Sequence, residues 1–105
     1  MKEKTVSELK AMIDGGEDFQ LIDVREPHEY DICHLHSTLI PMNEVPDRIA
    51  EISKDKPVVI HCRSGARSAR IVEYLEQAGG YQNLYNLRGG ILAWADEIDH
   101  SMAKY

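Results

Sequence analysis

Pro57-Val58-Val59-Ile60-His61-Cys62-Arg63-Ser64-Gly65-Ala66-Arg67-Ser68-Ala69-Arg70 joins the most strand-like run of this 105-residue chain to its strongest helix. Val58 to His61 is nearly all apolar, as expected of a central parallel strand covered on both faces. Gly65 permits a sharp turn, after which Ile71, Val72, Leu75 and Ala78 recur at helical spacing until Gly79-Gly80 ends the pattern.

Upstream, Thr5-Val6-Ser7-Glu8 has the form of a capping box. The helix it opens carries Val6, Leu9, Met12 and Ile13 on one face and stops at Gly15-Gly16. Phe19 to Val24 reads as a short strand, His28 to Asp31 as a weak helical turn, and Thr38-Leu39-Ile40 as another apolar run. Asn43 is placed to cap a helix with Val45, Ile49 and Ile52 at i, i+4 and i+7 and Pro46 in its first turn. Downstream, Leu84 to Leu87 makes a last strand, and Ile91, Trp94, Ala95 and Ile98 form a closing amphipathic helix. Strands that alternate with helices imply right-handed crossovers and a mainly parallel sheet, helices on both faces. Ligands of such sheets sit at the carboxyl ends of the strands, which directs attention to the loops after Val24, Ile60 and Leu87.

Composition narrows the function classes. The chain has 18 acidic and 12 basic residues, a formal charge of −6 and 43% hydrophobic residues. A chain of this length buries roughly 65% of its unfolded surface, enough for a single domain over residues 1–105 without a metal or disulfide staple. Net acidity argues against a nucleic-acid surface. No apolar run approaches a membrane span, and residues 1–10 lack a signal-peptide core, so the expectation is a cytoplasmic protein without membrane attachment. Two cysteines, Cys33 and Cys62, make neither a disulfide framework nor a four-cysteine zinc site.

Cys62 stands where a strand enters a helix, facing N–H groups that have no partner within the helix. Those donors and the helix dipole stabilise an anion, and Gly65 lets several amides point inward as a nest. Ser64 and Ser68 add hydroxyls, Arg63, Arg67 and Arg70 add positive charge, and no acid occurs from His61 to Arg70. Such a field lowers a thiol pKa: at ~8.5 about 3% is thiolate at neutral pH, at ~6.5 about three-quarters. Nucleophile and anion cradle coincide in one loop.

Three ordered motifs carry a family resemblance across essentially the whole chain. Leu21-Ile22-Asp23-Val24-Arg25 with Glu29-Tyr30 and His34-Leu35, then Cys62-Arg63-Ser64-Gly65-Ala66-Arg67-Ser68, then Leu87-Arg88-Gly89-Gly90-Ile91 with Trp94, resemble the signatures of rhodanese-like sulfurtransferase domains. The resemblance implies a three-layer α/β fold with a mainly parallel sheet of about five strands. It puts Cys62 in the place of the persulfide-forming cysteine and Arg63, Ser64, Gly65, Ala66, Arg67 and Ser68 in the substrate-binding loop. It implies ping-pong transfer of a sulfane sulfur from a donor such as thiosulfate to a thiol- or cyanide-type acceptor, with no cofactor and no metal. Expected partners are a small anionic sulfur donor and a protein sulfur donor or acceptor; the expected state is a monomer or weak dimer. The segment Gly89 to Asp99 is also similar to rhodanese domains fused behind adenylyltransferases that supply sulfur to carrier proteins. The sequence departs from the family at Cys33-His34-Leu35-His36-Ser37-Thr38, where Gly-His-Ile-Pro-Gly-Ala is usual.

Two rivals stand beside turnover. Phosphatases of the cell-cycle dual-specificity kind place five residues between cysteine and arginine, whereas four separate Cys62 from Arg67, too short a loop for a tetrahedral phosphate. A persulfide carrier charged by a partner protein would need the same loop. Cys33 is a candidate to resolve a Cys62 persulfide or a neutral replacement in a turn. His34, His36 and His61 match no zinc spacing. His61 precedes the nucleophile, so alternation along a strand points its ring away from the Cys62 side chain. Asp23 and Arg25 read as an ion pair anchoring a loop, Arg88 as a solvated arginine, and Trp94 as core.

Overall fold

Strands and helices alternate along the chain: β1 (Glu3–Lys4), α1 (Val6–Asp14), β2 (Gln20–Asp23), α2 (Pro27–Ile32), β3 (Thr38–Leu39), a 3-10 segment (Met42–Glu51), β4 (Val58–His61), α3 (Ala66–Gly79), β5 (Leu84–Leu87) and α4 (Gly90–Glu97). The computed structural model describes residues 1–105. The five strands form one sheet in the order β1-β5-β4-β2-β3, and every pairing is parallel.

Alternation along the strands divides the core in two. On one face Ile22, Val58, Ile60, Cys62 and Leu84 pack with Val72 and Leu75 of α3 and with Val45 and Ile52 around the 3-10 segment. On the other, Leu21, Val59 and Leu87 pack with Val6 and Leu9 of α1 and Ile91 and Trp94 of α4. β4 is buried at all four positions, as its apolar run requires. Each fully buried Val, Leu or Ile contributes about 1.5–3 kcal/mol. The result is the three-layer α/β architecture that the alternation of elements implies.

Local chemistry explains most boundaries. The Thr5–Glu8 box forms: Glu8 N–H donates to Thr5 Oγ1 (3.1 Å), and Thr5 N–H donates to Glu8 Oε1 (2.8 Å). Four details depart from the expected pattern. Ile13 is exposed, because the last turn of α1 overhangs an open cleft lined by Phe19, Trp94 and Met102. Ala78, in the last turn of α3, also faces solvent. Met42–Glu51 is 3-10 rather than α-helix, entered from Pro41, with a kink at Arg48 and no capping bond from Asn43. Pro46 supplies no N–H for the carbonyl four residues back, and the segment tightens into shorter-range bonds. β1 is a two-residue edge strand of charged residues, without periodicity to announce it.

Candidate active site

At the carboxyl end of the sheet the loops after β2, β4 and β5 converge. Cys62 follows β4, is 1% exposed, and its Sγ lies inside the turn made by Gly65. Gly65 has φ +106°, a left-handed conformation that costs glycine little and other residues much. Its N–H donates to Sγ at 3.1 Å, and the N–H of Ser68 does so at 3.5 Å. The Ser68 hydroxyl lies 3.4 Å from the sulfur. Burial pushes the Cys62 thiol up, but hydrogen bonds from the Ser68 hydroxyl and the amides of Ser68, Gly65 and Ser64 outweigh it and set the thiol below its ordinary value.

The curl of this loop is fixed from α4. Ile91 N–H donates to the Cys62 carbonyl at 3.0 Å and Leu92 N–H to the Arg63 carbonyl at 3.1 Å. In a trans peptide C=O and N–H point in opposite directions. Carbonyls drawn toward α4 therefore turn the N–H groups of Arg63 and Ser64 the other way, and that of Ser64 helps hold the thiol below its ordinary value. The contact is close: a Cβ on Gly90 would stand 2.5 Å from the Arg63 carbonyl oxygen.

Beneath the loop lies a buried polar layer. Asp23 and Arg25 are both fully buried, with Arg25 Nη2 2.8 Å from Asp23 Oδ2 and Nε 3.0 Å from Oδ1. Arg25 also donates to the carbonyls of Cys33 (2.8 Å) and Glu29 (3.3 Å) and to the Tyr105 hydroxyl (2.8 Å). Its donors thus tie α2 and the following loop to β2 without leaving a buried charge unpaired. His61, paired in register with Asp23, is fully buried. Its Nδ1 lies 3.2 Å from the Cys62 carbonyl and its Nε2 3.7 Å from Asp23 Oδ2. Burial pushes the His61 pKa down against the pull of Asp23. The Cys62 carbonyl can only accept, so the contact at Nδ1 is made by its N–H.

The loop arginines are already engaged. Arg67 makes a two-pronged contact with Glu29, at 2.7 Å to Oε1 and 2.9 Å to Oε2. That contact, reinforced by the Glu26 amide and the Tyr105 hydroxyl, outweighs burial and lowers the Glu29 pKa to about 2. Arg63 donates to the Tyr105 carbonyl and sits over the Tyr105 ring, 5.0 Å from its centroid. Arg70, Ser64 and Ala66 are exposed. The structure therefore brings Cys62, Gly65 and Ser68 together as a cradle, and holds Arg63 and Arg67 at its rim in contacts with other parts of the chain.

Three contributors escape the sequence. Asn86 accepts from Ser68 Oγ at 2.5 Å; a polar residue on the core-facing side of a β5 otherwise flanked by leucines was its signal. Glu29 lies in a recognisable motif, but nothing local marks its reach to Arg67. Tyr105 carries no signal at all. Cys33, partly buried, packs against the cluster on the α1/α4 face, whereas Cys62 belongs to the cluster on the α3 face. The sheet stands between the two clusters, an arrangement that gives no support to a resolving role for Cys33. Trp94 is core, and Arg88 is exposed and paired with Glu3. No helix is long and apolar enough to cross a membrane.

A parallel sheet that ends in an amide-cradled cysteine, with helices layered on both faces, defines the class: an α/β domain built around one anion-stabilised thiol. The chain belongs to the rhodanese-like family, whose domain model matches residues 5–97. A sulfurtransferase of Allochromatium vinosum is 50% identical over 88 residues, 83% of this chain and 81% of that protein. The probable adenylyltransferase/sulfurtransferase MoeZ of Mycobacterium tuberculosis is 36% identical over 104 residues, 96% of this chain but only 26% of that protein, so the chain spans about a quarter of it. Among solved structures, a rhodanese-like domain protein from Staphylococcus aureus superposes with a TM-score of 0.83 at 37% identity, covering 93% of this chain and 95% of that one.

Proposed function

We propose that the protein is a sulfurtransferase that moves a sulfane sulfur from a small anionic donor such as thiosulfate to a nucleophilic acceptor through a Cys62 persulfide. The Cys62 thiolate attacks the outer sulfur of the donor. A sulfur–sulfur bond forms at Cys62, the donor's own sulfur–sulfur bond breaks, and sulfite leaves with the electron pair. An acceptor thiolate or cyanide then attacks the terminal sulfur, and Cys62 departs as thiolate. Electrons balance across the two halves, so neither cofactor nor external redox partner is required. The amides of Ser64, Gly65 and Ser68 stabilise the anion at each stage.

The observation that carries this reading is the donation of Gly65 and Ser68 amides to a sulfur whose thiol is set below its ordinary value despite burial. The relatives named as sulfurtransferases support it. Phosphoryl chemistry is disfavoured: the arginine that would clamp a phosphate, Arg67, is held by both oxygens of Glu29. The amide-cradled Cys62 Sγ also fits a second reading, a carrier charged by a partner protein, since the same donors would hold a persulfide between charging and delivery.

Intact mass of the reduced protein after thiosulfate treatment tests both. A gain of one sulfur, about 32 Da, removed by cyanide and absent in Cys62→Ser, is the expected result. Charging by a protein persulfide donor but not by thiosulfate would replace the enzyme with the carrier. No sulfur gained from either donor would overturn both readings.

A further inference from the structure

Ser68 has one hydroxyl proton and three acceptors within reach. Its Oγ lies 2.5 Å from Asn86 Oδ1, 3.3 Å from the Gly65 carbonyl and 3.4 Å from Cys62 Sγ. The Gly65 carbonyl is already served: Ala69 N–H donates to it at 3.1 Å and Asn86 Nδ2 at 3.2 Å, filling both lone pairs. That second bond also fixes the Asn86 amide. A carbonyl can only accept, so the NH2 of Asn86 must face Gly65, and its oxygen is thereby turned to Ser68. The proton has two remaining destinations, Asn86 and the sulfur, and the shorter contact is with Asn86. Asn86 is 4% exposed and Ser68 fully buried, so no solvent intrudes to satisfy either group.

We infer that Asn86 is a positioning residue that competes with Cys62 Sγ for the single proton of the Ser68 hydroxyl, and so sets how strongly that hydroxyl stabilises the thiolate. In the thiol state the proton rests on Asn86. When the sulfur becomes an anion and a stronger acceptor, the hydroxyl can turn to it only by giving up its bond to Asn86. Asn86 thus holds the nucleophile less acidic than the amide cradle and a free Ser68 hydroxyl would make it. No bond to a heavy atom changes; one hydrogen bond is exchanged for another. The inference rests on Cys62 as the working nucleophile for its consequence, but not for its test.

The test follows the ultraviolet absorbance of the thiolate against pH in a Cys33→Ser background, with Cys62→Ser as the blank. Asn86→Leu removes the competing acceptor at similar size. The expected result is a Cys62 pKa lower than in the parent, with about three- to tenfold more thiolate at pH values below the midpoint, the worth of one hydrogen bond. Adding Ser68→Ala should abolish that gain, because no proton remains to be released. A role for Asn86 confined to bracing the Gly65 carbonyl would instead shift the pKa equally with and without Ser68. An equal shift, an upward shift or none in Asn86→Leu overturns the inference. Should Asn86→Leu fail to fold, Asn86→Asp repeats the cycle with the opposite sign. Its carboxylate holds the proton more firmly and raises the pKa, and the rise should be smaller in Ser68→Ala; a rise of equal size there overturns the inference. Sulfur uptake without this coupling sinks the role of Asn86 alone, whereas the coupling without sulfur uptake sinks the proposed function alone.

Discussion

Two loops of this molecule are built alike and do different things. After β4 and again after β5, a short strand passes through a left-handed glycine, Gly65 or Gly89, into a helix whose first amides have no partner within it. In the first loop those amides close on Cys62 Sγ. In the second, the amides of Ile91 and Leu92 close on the carbonyls of Cys62 and Arg63. One helix N-terminus holds the sulfur; its neighbour holds the peptide groups that face the sulfur. The same donor set favours a thiolate when a thiol is aimed into it and fixes shape when it is offered a backbone. Charge separates them further. The first loop is flanked by Arg63, Arg67 and Glu29, and the second has only Arg88, which reaches outward to Glu3.

The largest effect is expected at Gly90. Its φ is +59°, and a Cβ there would meet the Arg63 carbonyl oxygen at 2.5 Å and the Cys62 oxygen at 2.7 Å, backbone atoms that must move. Gly90→Ala is expected to cost about 4 kcal/mol in urea unfolding, strain and overpacking together. It should also raise the Cys62 pKa, although the change lies in the other loop. Gly80→Ala is the control: with φ +66° and nothing within 4 Å, it should cost about 1 kcal/mol and leave the thiol alone. Equal losses would mean that α4 does not shape the cradle.

Acid is the next lever, and it reaches the first loop through Glu29. The Glu29 carboxyl titrates at about 2 in the folded protein against 4.5 when unperturbed. A depressed carboxyl adds stability above its unfolded pKa, and that stability drains away as pH falls from about 4.5 towards 2. Its size is about 2–3 kcal/mol, the side chain being only 9% exposed. Glu29→Gln should therefore lower the urea midpoint at neutral pH, with the two proteins converging at the acid end. Emission of Trp94 on α4 should be the same in both native states. A gap that persists undiminished at the acid end would remove Glu29 as the source.

The smallest effect is expected at the second loop's own charge. Arg88 and Glu3 form an exposed pair, so Arg88→Ala should change stability by less than about 0.5 kcal/mol and leave sulfur loading unaltered. A marked loss of loading would give this loop the active part that its geometry denies it.

The sequence foretold much of this arrangement because the decisive signals are local. Val58 to His61 has to be a covered strand and Gly65 a turn, and both are legible without knowing what packs against them. The α1 cap is equally local. The positive field expected of the acid-free stretch to Arg70 is met instead by Glu29, which holds Arg67, and the thiol is lowered by hydrogen bonds. What escaped are relations between distant residues. Asn86 meets Ser68 across eighteen positions, Glu29 meets Arg67 across thirty-eight, and Tyr105 meets Arg25 across eighty. No periodicity encodes such pairs. The 3-10 segment escaped for another reason: its apolar spacing fits an α-helix, and the prolines at 41 and 46 decide otherwise.

The two outermost strands are the shortest. β1 and β3 have two residues each, and β1 contains Lys4 and follows Lys2. An edge of that length exposes only a few unpaired backbone groups, too few to seat a strand from another molecule with a defined register. Growth of the sheet by accretion is closed at both ends. The parallel core can thus stay strongly apolar without becoming a template for fibres.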